Sequence, residues 1–244
     1  MVSYASLSPE DTVLEIGAGL GFLTEEIAKN AKDVIAVEID ENLVKILKDR
    51  LRGYKNVVII KGDIMKLNLP PFDKVVSTPP YSISSPIHFW LIEKNPKYAV
   101  LTFQEEFAKR LAALTGSEDY GRLTVTTYYR AEVEVLDRIP KEQFWPPPKV
   151  DSVIVRLRPR EPRFFVEDEE IFFEFVKEIF TQKNKKLRNA VIPFFGKLKF
   201  SKALTRELID TLPFHNRRPR ELSPEEIGLT VNEIIGRLRK LKVL

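Results

Sequence analysis

Over the first 158 residues, short aliphatic and β-branched runs alternate with stretches whose apolar residues recur at helical spacing. Thr12–Ile16 reads as a buried strand, Leu23–Asn30 as a helix and Val34–Ile39 as a second strand. Asn42, Leu43, Ile46, Leu47 and Leu51 again share helical spacing. Val57–Ile60 and Lys74–Ser77 supply a third and a fourth strand. Pro86 suits the first turn of a helix that continues through Ile92. Ala99–Phe103 is a fifth strand, and Glu105–Leu114 a helix. Leu123–Tyr129, Glu132–Leu136 and Ser152–Leu157 alternate like three later strands. Strands interleaved with helices predict βαβ units and a mainly parallel sheet.

The pattern changes after Arg158. Pro159-Arg160-Glu161-Pro162-Arg163 is a charged, proline-punctuated linker. Beyond it only helical periods occur: Ile171–Phe180, Lys185–Ile192, Ser201–Thr211 and Pro224–Leu241. Ile171, Phe172, Phe173, Phe175 and Phe180 read as the core of that region. The expected architecture is therefore α/β, a Rossmann-like domain over residues 1–158 followed by a small all-helical domain over 159–244.

Composition narrows the class. With 43% hydrophobic residues in 244, the chain can bury a core, and no apolar run is long enough to cross a bilayer. Cysteine is absent, which removes disulfides, thiolate metal sites and cysteine nucleophiles, and fits a cytoplasmic location. His88 and His215, the only histidines, lack metal-ligand spacing, and His88 beside Phe89 and Trp90 reads as a packing residue. Net charge is only +4, but its distribution is uneven. Between Lys183 and Arg220 stand eleven cations (Lys183, Lys185, Lys186, Arg188, Lys197, Lys199, Lys202, Arg206, Arg217, Arg218 and Arg220) against Glu207 and Asp210. Such a field attracts phosphates, although a charge run by itself is more often a solvated face.

Candidate chemistry sits at the predicted strand ends. Gly17, Gly19 and Gly21 fall in a strand-to-helix turn, where glycine permits close backbone approach to a ligand. A dinucleotide fingerprint would need its third glycine at Phe22, so a nicotinamide-dependent oxidoreductase is disfavoured. Glu38, at the end of the second strand and roughly 20 residues past the turn, can bind ribose hydroxyls. Asp40 reads as a helix N-cap. Asp63, after the third strand, can accept from an adenine amine, with Ile39 and Ile64 on the ring faces. Singly each acid reads as a cap or turn residue; together they point to an adenosine-containing cofactor. After the fourth strand comes Thr78-Pro79-Pro80-Tyr81. The Thr78 hydroxyl and the Pro79 carbonyl can accept hydrogen bonds from an adenine amine and offset the positive charge that develops there. The Tyr81 ring can stack on the base.

These motifs resemble those of the ribosomal RNA adenine dimethyltransferases. Asp11 through Thr24, including Glu15, looks like their cofactor loop, and Tyr81-Ser82-Ile83-Ser84-Ser85-Pro86-Ile87 like the continuation of their catalytic loop. Gln104-Glu105-Glu106-Phe107-Ala108-Lys109-Arg110-Leu111, Asp119-Tyr120-Gly121-Arg122-Leu123 and Phe144-Trp145-Pro146-Pro147-Pro148-Lys149-Val150-Asp151-Ser152 resemble three further segments. The resemblance implies S-adenosylmethionine as cofactor, bound by Glu15, Gly17, Gly19, Gly21, Glu38, Ile39, Asp63, Ile64 and Thr78. It implies Thr78, Pro79, Tyr81 and Phe144 as catalytic residues. It implies dimethylation of two adjacent adenines near the 3′ end of small-subunit rRNA by a monomer acting on the pre-ribosomal small subunit. Lys149, Lys183, Lys185, Lys186, Arg188, Arg217, Arg218 and Arg220 would contact that RNA. The family usually reads Asn-Leu-Pro-Tyr where this chain has Thr78-Pro79-Pro80-Tyr81. It also carries a segment with a Gln-x-Phe-Leu motif before the first strand; this chain begins almost at the strand, and weaker cofactor binding is the expectation. A non-catalytic nucleic-acid-binding relative that kept the fold is the alternative.

Overall fold

A computed structural model describes residues 1–144, 147–197 and 202–240, of which 202–205 are described as backbone only. Seven strands form one sheet: β1 Thr12–Ile16, β2 Asp33–Glu38, β3 Val57–Lys61, β4 Lys74–Ser77, β5 Tyr98–Gln104, β6 Ala131–Ile139 and β7 Ser152–Pro159. Their spatial order is β3-β2-β1-β4-β5-β7-β6. The first five run parallel; β7 is antiparallel to both β5 and β6. Strand order reverses between β1 and β4. In an open α/β sheet, the carboxyl ends of the strands at such a switch point form the ligand crevice. The central strands are buried on both faces: Val13, Leu14, Val34, Ala36, Val75, Val76, Val100 and Leu101 have almost no exposure, which explains their continuous apolar runs.

Helices α1 Phe22–Ala28, α2 Glu41–Arg50 and α3 Ser84–Lys94 connect the parallel strands, and α4 Glu105–Leu111 follows β5. The Asp40 side chain caps α2 by accepting from the Asn42 and Leu43 amides at 2.7 and 3.3 Å, as its sequence position predicts. His88 in α3 is completely buried against Phe89 and Phe107, and burial pushes its pKa down to about 3. It is a neutral packing residue.

One predicted strand is a helix. Leu123–Tyr129 lies within α5, Arg122–Arg130. Its β-branched residues suggest a strand, but Leu123, Thr124, Val125, Thr126, Thr127 and Tyr129 are all buried. Threonine hydroxyls take up local carbonyls: Thr127 Oγ1 donates to the Leu123 carbonyl at 2.7 Å and Thr126 Oγ1 to that of Arg122 at 3.0 Å. Burial on most sides, rather than one pleated face, overrides β-propensity here.

The chain divides into two compact units, residues 1–108 with 131–160, and residues 109–130 with 161–244. The single boundary expected near Arg158 is thus corrected: α5 and the loop before it join the second unit. In that unit α5 is followed by α6 Glu169–Phe180, α7 Leu187–Ala190, α8 Ile192–Lys197, α9 Lys202–Asp210 and α10 Pro224–Lys240. Lys185–Ile192 is accordingly not one helix; α7 and α8 divide it. Ser201 and Leu241, the ends of two predicted helices, lie outside the described residues. Phe172 and Phe175 are buried with Tyr129, Val176, Ile179 and Ile234 in the core of this unit, and Ile171, Phe173 and Phe180 pack against it.

Candidate active site at the sheet switch point

Three turns meet at the carboxyl ends of adjacent strands in the first unit. The turn after β1 carries Gly17, Gly19 and Gly21 at φ +74°, +57° and +83°, values that side chains rarely adopt. A Cβ on Gly17 would come within 3.2 Å of the Pro80 Cδ, and one on Gly21 within 2.7 Å of a Leu47 methyl. Gly17 therefore lets the β1 turn and the Thr78-Pro79-Pro80-Tyr81 turn approach each other. Gly21 lets the start of α1 pack on α2. Ser77, the last residue of β4, ties the two strand ends together, donating to the Ile16 carbonyl at 2.5 Å and accepting from the Ile16 amide at 3.2 Å.

Glu38 ends β2 and is buried. One carboxylate oxygen accepts from the Gly19 amide at 2.9 Å, the other from the amides of Ile39 and Asp40 at 2.8 and 2.9 Å. It locks the glycine turn and retains acceptor capacity, since a carboxylate can take about four hydrogen bonds. Asp63 is half-buried after β3 and accepts from the Met65 amide at 3.0 Å, with Lys66 Nζ 3.6 Å from its other oxygen. Ile39 is exposed and Ile64 buried, so Ile39 alone of the pair presents a free apolar face.

Glu15 lies in β1 beneath the glycine turn, 1% exposed, and its Oε2 has no hydrogen-bond partner among the described residues. Burial pushes its pKa up to about 8; a Thr24 contact opposes this and the Glu38 charge adds to it. The group is therefore a neutral acid at pH 7. Its folded value lies above the ordinary 4.5, so the stability associated with it is complete below about pH 4.5 and is lost as pH rises through 8. Glu15→Gln should match the parent melting temperature near about pH 4 and exceed it near about pH 9. Equal pH dependence in the two proteins would contradict the assignment.

In the catalytic-loop candidate, Thr78 is exposed and Pro79 buried. Tyr81 opens a 3-10 turn, Tyr81–Ile83, that leads into α3. The Ser84 hydroxyl donates to the Tyr81 carbonyl at 2.9 Å, and the Tyr81 hydroxyl is hydrogen-bonded to that of Ser152 at the start of β7. Phe144, half-buried, and exposed Lys149 lie in the segment joining β6 to β7; Trp145 and Pro146 of that segment lie outside the described residues. Ser77 and Ser152 have no chemistry of their own in the sequence. The only signal for Ser152 was its place at the end of the Phe144–Ser152 motif.

In the second unit the two basic segments converge. The Leu187 amide donates to the Arg217 carbonyl at 2.7 Å, and the Arg188 amide to the His215 carbonyl at 3.0 Å. The cations differ in availability. Lys183 Nζ donates to the Glu118 and Tyr120 carbonyls, and Arg217 pairs with Glu226 at 2.5 Å. Lys197 pairs with Glu174 and Glu178. Lys185, Lys186, Arg188 and Arg218 are exposed, and Arg220 is half-buried. Lys199 and the Lys202 side chain lie outside the described residues. No group of acidic or histidine side chains among the described residues could hold a metal ion.

A sheet of this order, with a glycine turn and an acidic strand end at its switch point, defines a Rossmann-like methyltransferase that uses S-adenosylmethionine. Residues 1–219 match the family described as ribosomal RNA adenine dimethylase, and the chain belongs to that family. A relative named probable ribosomal RNA small subunit methyltransferase A, from Methanosarcina acetivorans, is 47% identical over 95% of this chain and 86% of its own length. A crystal structure of a dimethyladenosine transferase from Plasmodium falciparum superposes with a TM-score of 0.83, at 30% identity over 98% of this chain and 94% of that one. The 23S rRNA methyltransferase ErmE superposes with a TM-score of 0.69, also at 30% identity, over 96% and 94% of the two chains.

Proposed function

We propose that this chain methylates the exocyclic amine of two adjacent adenines near the 3′ end of small-subunit rRNA. The observation that carries the reading is the close approach of the glycine turn to the Thr78–Tyr81 turn, with Gly17 facing Pro80. That approach would bring a cofactor cradle and a set of amine acceptors into one crevice. Membership of an enzyme family disfavours the non-catalytic alternative. The small subunit, rather than the large one, is favoured by the relatives at 47% identity that carry that name.

The residues present fit S-adenosylmethionine. Glu15 offers a ligand a buried carboxyl oxygen that has no hydrogen-bond partner among the described residues, and the glycine turn is open at Gly19, where a Cβ would meet nothing closer than the Gly17 carbonyl at 3.9 Å. Glu38 would hold ribose hydroxyls, Ile39 would cover the adenine, and Asp63 would accept from its amine. Bound there, S-adenosylmethionine supplies an electrophilic methyl group. The chain's own residues do the rest. The Thr78 hydroxyl and the Pro79 carbonyl accept from the target amine and orient its lone pair, stabilising the charge that develops on nitrogen. Tyr81, with Phe144, holds the flipped base by stacking. The proton leaves after the nitrogen has become cationic, so no strong base is needed beforehand.

Lys149 in the first unit, and exposed Lys185, Lys186, Arg188 and Arg218 in the second, hold phosphates, while RNA shape selects the site. Lys183, Arg217 and Arg220 complete the basic surface through the backbone bonds that shape it. The protein acts as a monomer in the cytoplasm, on the small subunit or its precursor. No helix among the described residues is long and apolar enough to cross a membrane.

The test is incubation of unmethylated small subunits with labelled S-adenosylmethionine, followed by mapping of the modified bases. Label on adjacent adenines near the 3′ end is the expected result; label elsewhere, or none, overturns the reading. Reversal of Lys185 and Lys186 to glutamate should weaken RNA binding about ten-fold or more and lower the slope of affinity against salt by roughly two. An unchanged slope would return these residues to an ordinary solvated face.

A further inference from the structure

We propose that Ser152 is a positioning residue for methyl transfer: its hydroxyl holds the Tyr81 phenol and so fixes the plane of the ring on which the target base stacks. The inference rests on the stacking role of Tyr81 proposed above and adds the group that sets its angle.

Tyr81 is held at two points. Its carbonyl accepts from Ser84 Oγ at 2.9 Å, and the Ile83 amide bonds to the Pro80 carbonyl at 3.1 Å, closing the turn that carries the residue. These bonds set where the ring starts but leave its rotation free. The ring itself is restrained at its far end by the hydrogen bond between the Tyr81 and Ser152 hydroxyls. Seventy-one positions separate the two residues in sequence, so no local effect links them.

Ser152 is suited to act as a fixed point. It is completely buried. It is the first residue of β7, in register with Gln104 of β5 on one side and Ile139 of β6 on the other, so its backbone is restrained by both neighbouring strands. The preceding residue is restrained as well. The Asp151 carboxylate accepts from the Lys141 amide at 3.0 Å and pairs with Arg138, and the Asp151 carbonyl accepts from the Glu105 amide at 3.1 Å. Asp151 thereby closes the base of the loop that carries Phe144. The anchor for the Tyr81 ring and the base of the Phe144 loop are thus consecutive residues of one strand. That arrangement sets the two aromatic groups from a common support. Holding the ring in advance spares the transfer step the entropy of orienting it.

The test compares Ser152→Ala, Tyr81→Phe, the double variant and Tyr81→Ala, each in the full chain. Single-turnover methyl transfer is measured on unmethylated small subunits, and affinity for S-adenosylmethionine by calorimetry. Ser152→Ala and Tyr81→Phe should each slow transfer about five- to ten-fold, the effect of losing one hydrogen bond, with KM for the subunit and cofactor affinity unchanged. The double variant should be no slower than either single variant, because both remove the same bond. Singles whose effects multiply, or a Ser152→Ala variant as fast as the parent, would overturn the proposal while leaving the stacking role standing. Tyr81→Ala distinguishes the two levels: transfer at the parent rate in that variant removes the stacking role, and the positioning role with it. If Ser152→Ala does not fold, Tyr81→Phe carries the test alone, since it leaves β7 untouched and must still lower kcat without raising KM.

Discussion

Replacing Tyr81 by alanine should lower methyl transfer about 100- to 1,000-fold while S-adenosylmethionine affinity and the melting curve stay at parent values. The ring is half-buried in a turn outside the apolar core, so its loss leaves the strands intact. On the stacking role proposed for Tyr81, what is lost is the surface that would hold the base at the angle of attack. The Thr78 hydroxyl and the Pro79 carbonyl remain, but an unheld amine meets them only rarely. Rates from labelled cofactor, set beside a calorimetric dissociation constant, separate the two effects. Turnover within a few-fold of the parent would remove Tyr81 from the site.

The second large effect is expected at the opposite end of the sheet. Asp11, just before β1, and Lys74, the first residue of β4, are both buried and lie 2.7 Å apart. Lys74 also donates to the Ser6 carbonyl at 2.8 Å, and Asp11 accepts from the Ser8 amide and hydroxyl. Burial alone would raise the Asp11 pKa, but the bonds from Lys74 and Ser8 together hold it below the ordinary value. Asp11→Ala strands a buried ammonium. The expected cost is about 3 kcal/mol, or a melting temperature lower by roughly 10 °C. Replacing both partners, Asp11→Leu with Lys74→Met, should cost less than Asp11→Ala alone, because no charge is left unpaired. Because the folded pKa of Asp11 is depressed, its stabilisation is present above the ordinary value of 3.8 and is lost as pH falls below it. Thermal melts of the three proteins check both statements. A double variant less stable than Asp11→Ala would show that the pair contributes more than the charges it neutralises.

The candidate site was largely readable from the chain because its chemistry is carried by residue types that have few substitutes. Three glycines in five residues announce positive φ, and all three have it. Asp40 followed by a helical period announces a cap, and it accepts the expected amides. Glu38 was read as a ligand residue; the structure adds that it first fastens the Gly19 amide, a bond that no spacing rule reveals. Asp63 and Ile39 stand beside it at neighbouring strand ends because β1, β2 and β3 are parallel and in register, Ile16 opposite Val37 and Glu38 opposite Lys61. Ile64, unlike Ile39, is buried.

Local patterning was enough for the alternation of strands and helices, the glycine turn, the acidic strand ends and the family to which they belong. Each of these is a property of neighbours along the chain, where period and residue type act directly. Tertiary packing alone decided the rest. It made a helix of Leu123–Tyr129, gave residues 109–130 to the second unit, separated the engaged cations Lys183 and Arg217 from the exposed Lys185 and Lys186, and brought Ser152 to Tyr81. These outcomes depend on which distant surfaces bury one another and which polar groups then need partners, and contacts of that kind leave no period in the order of residues.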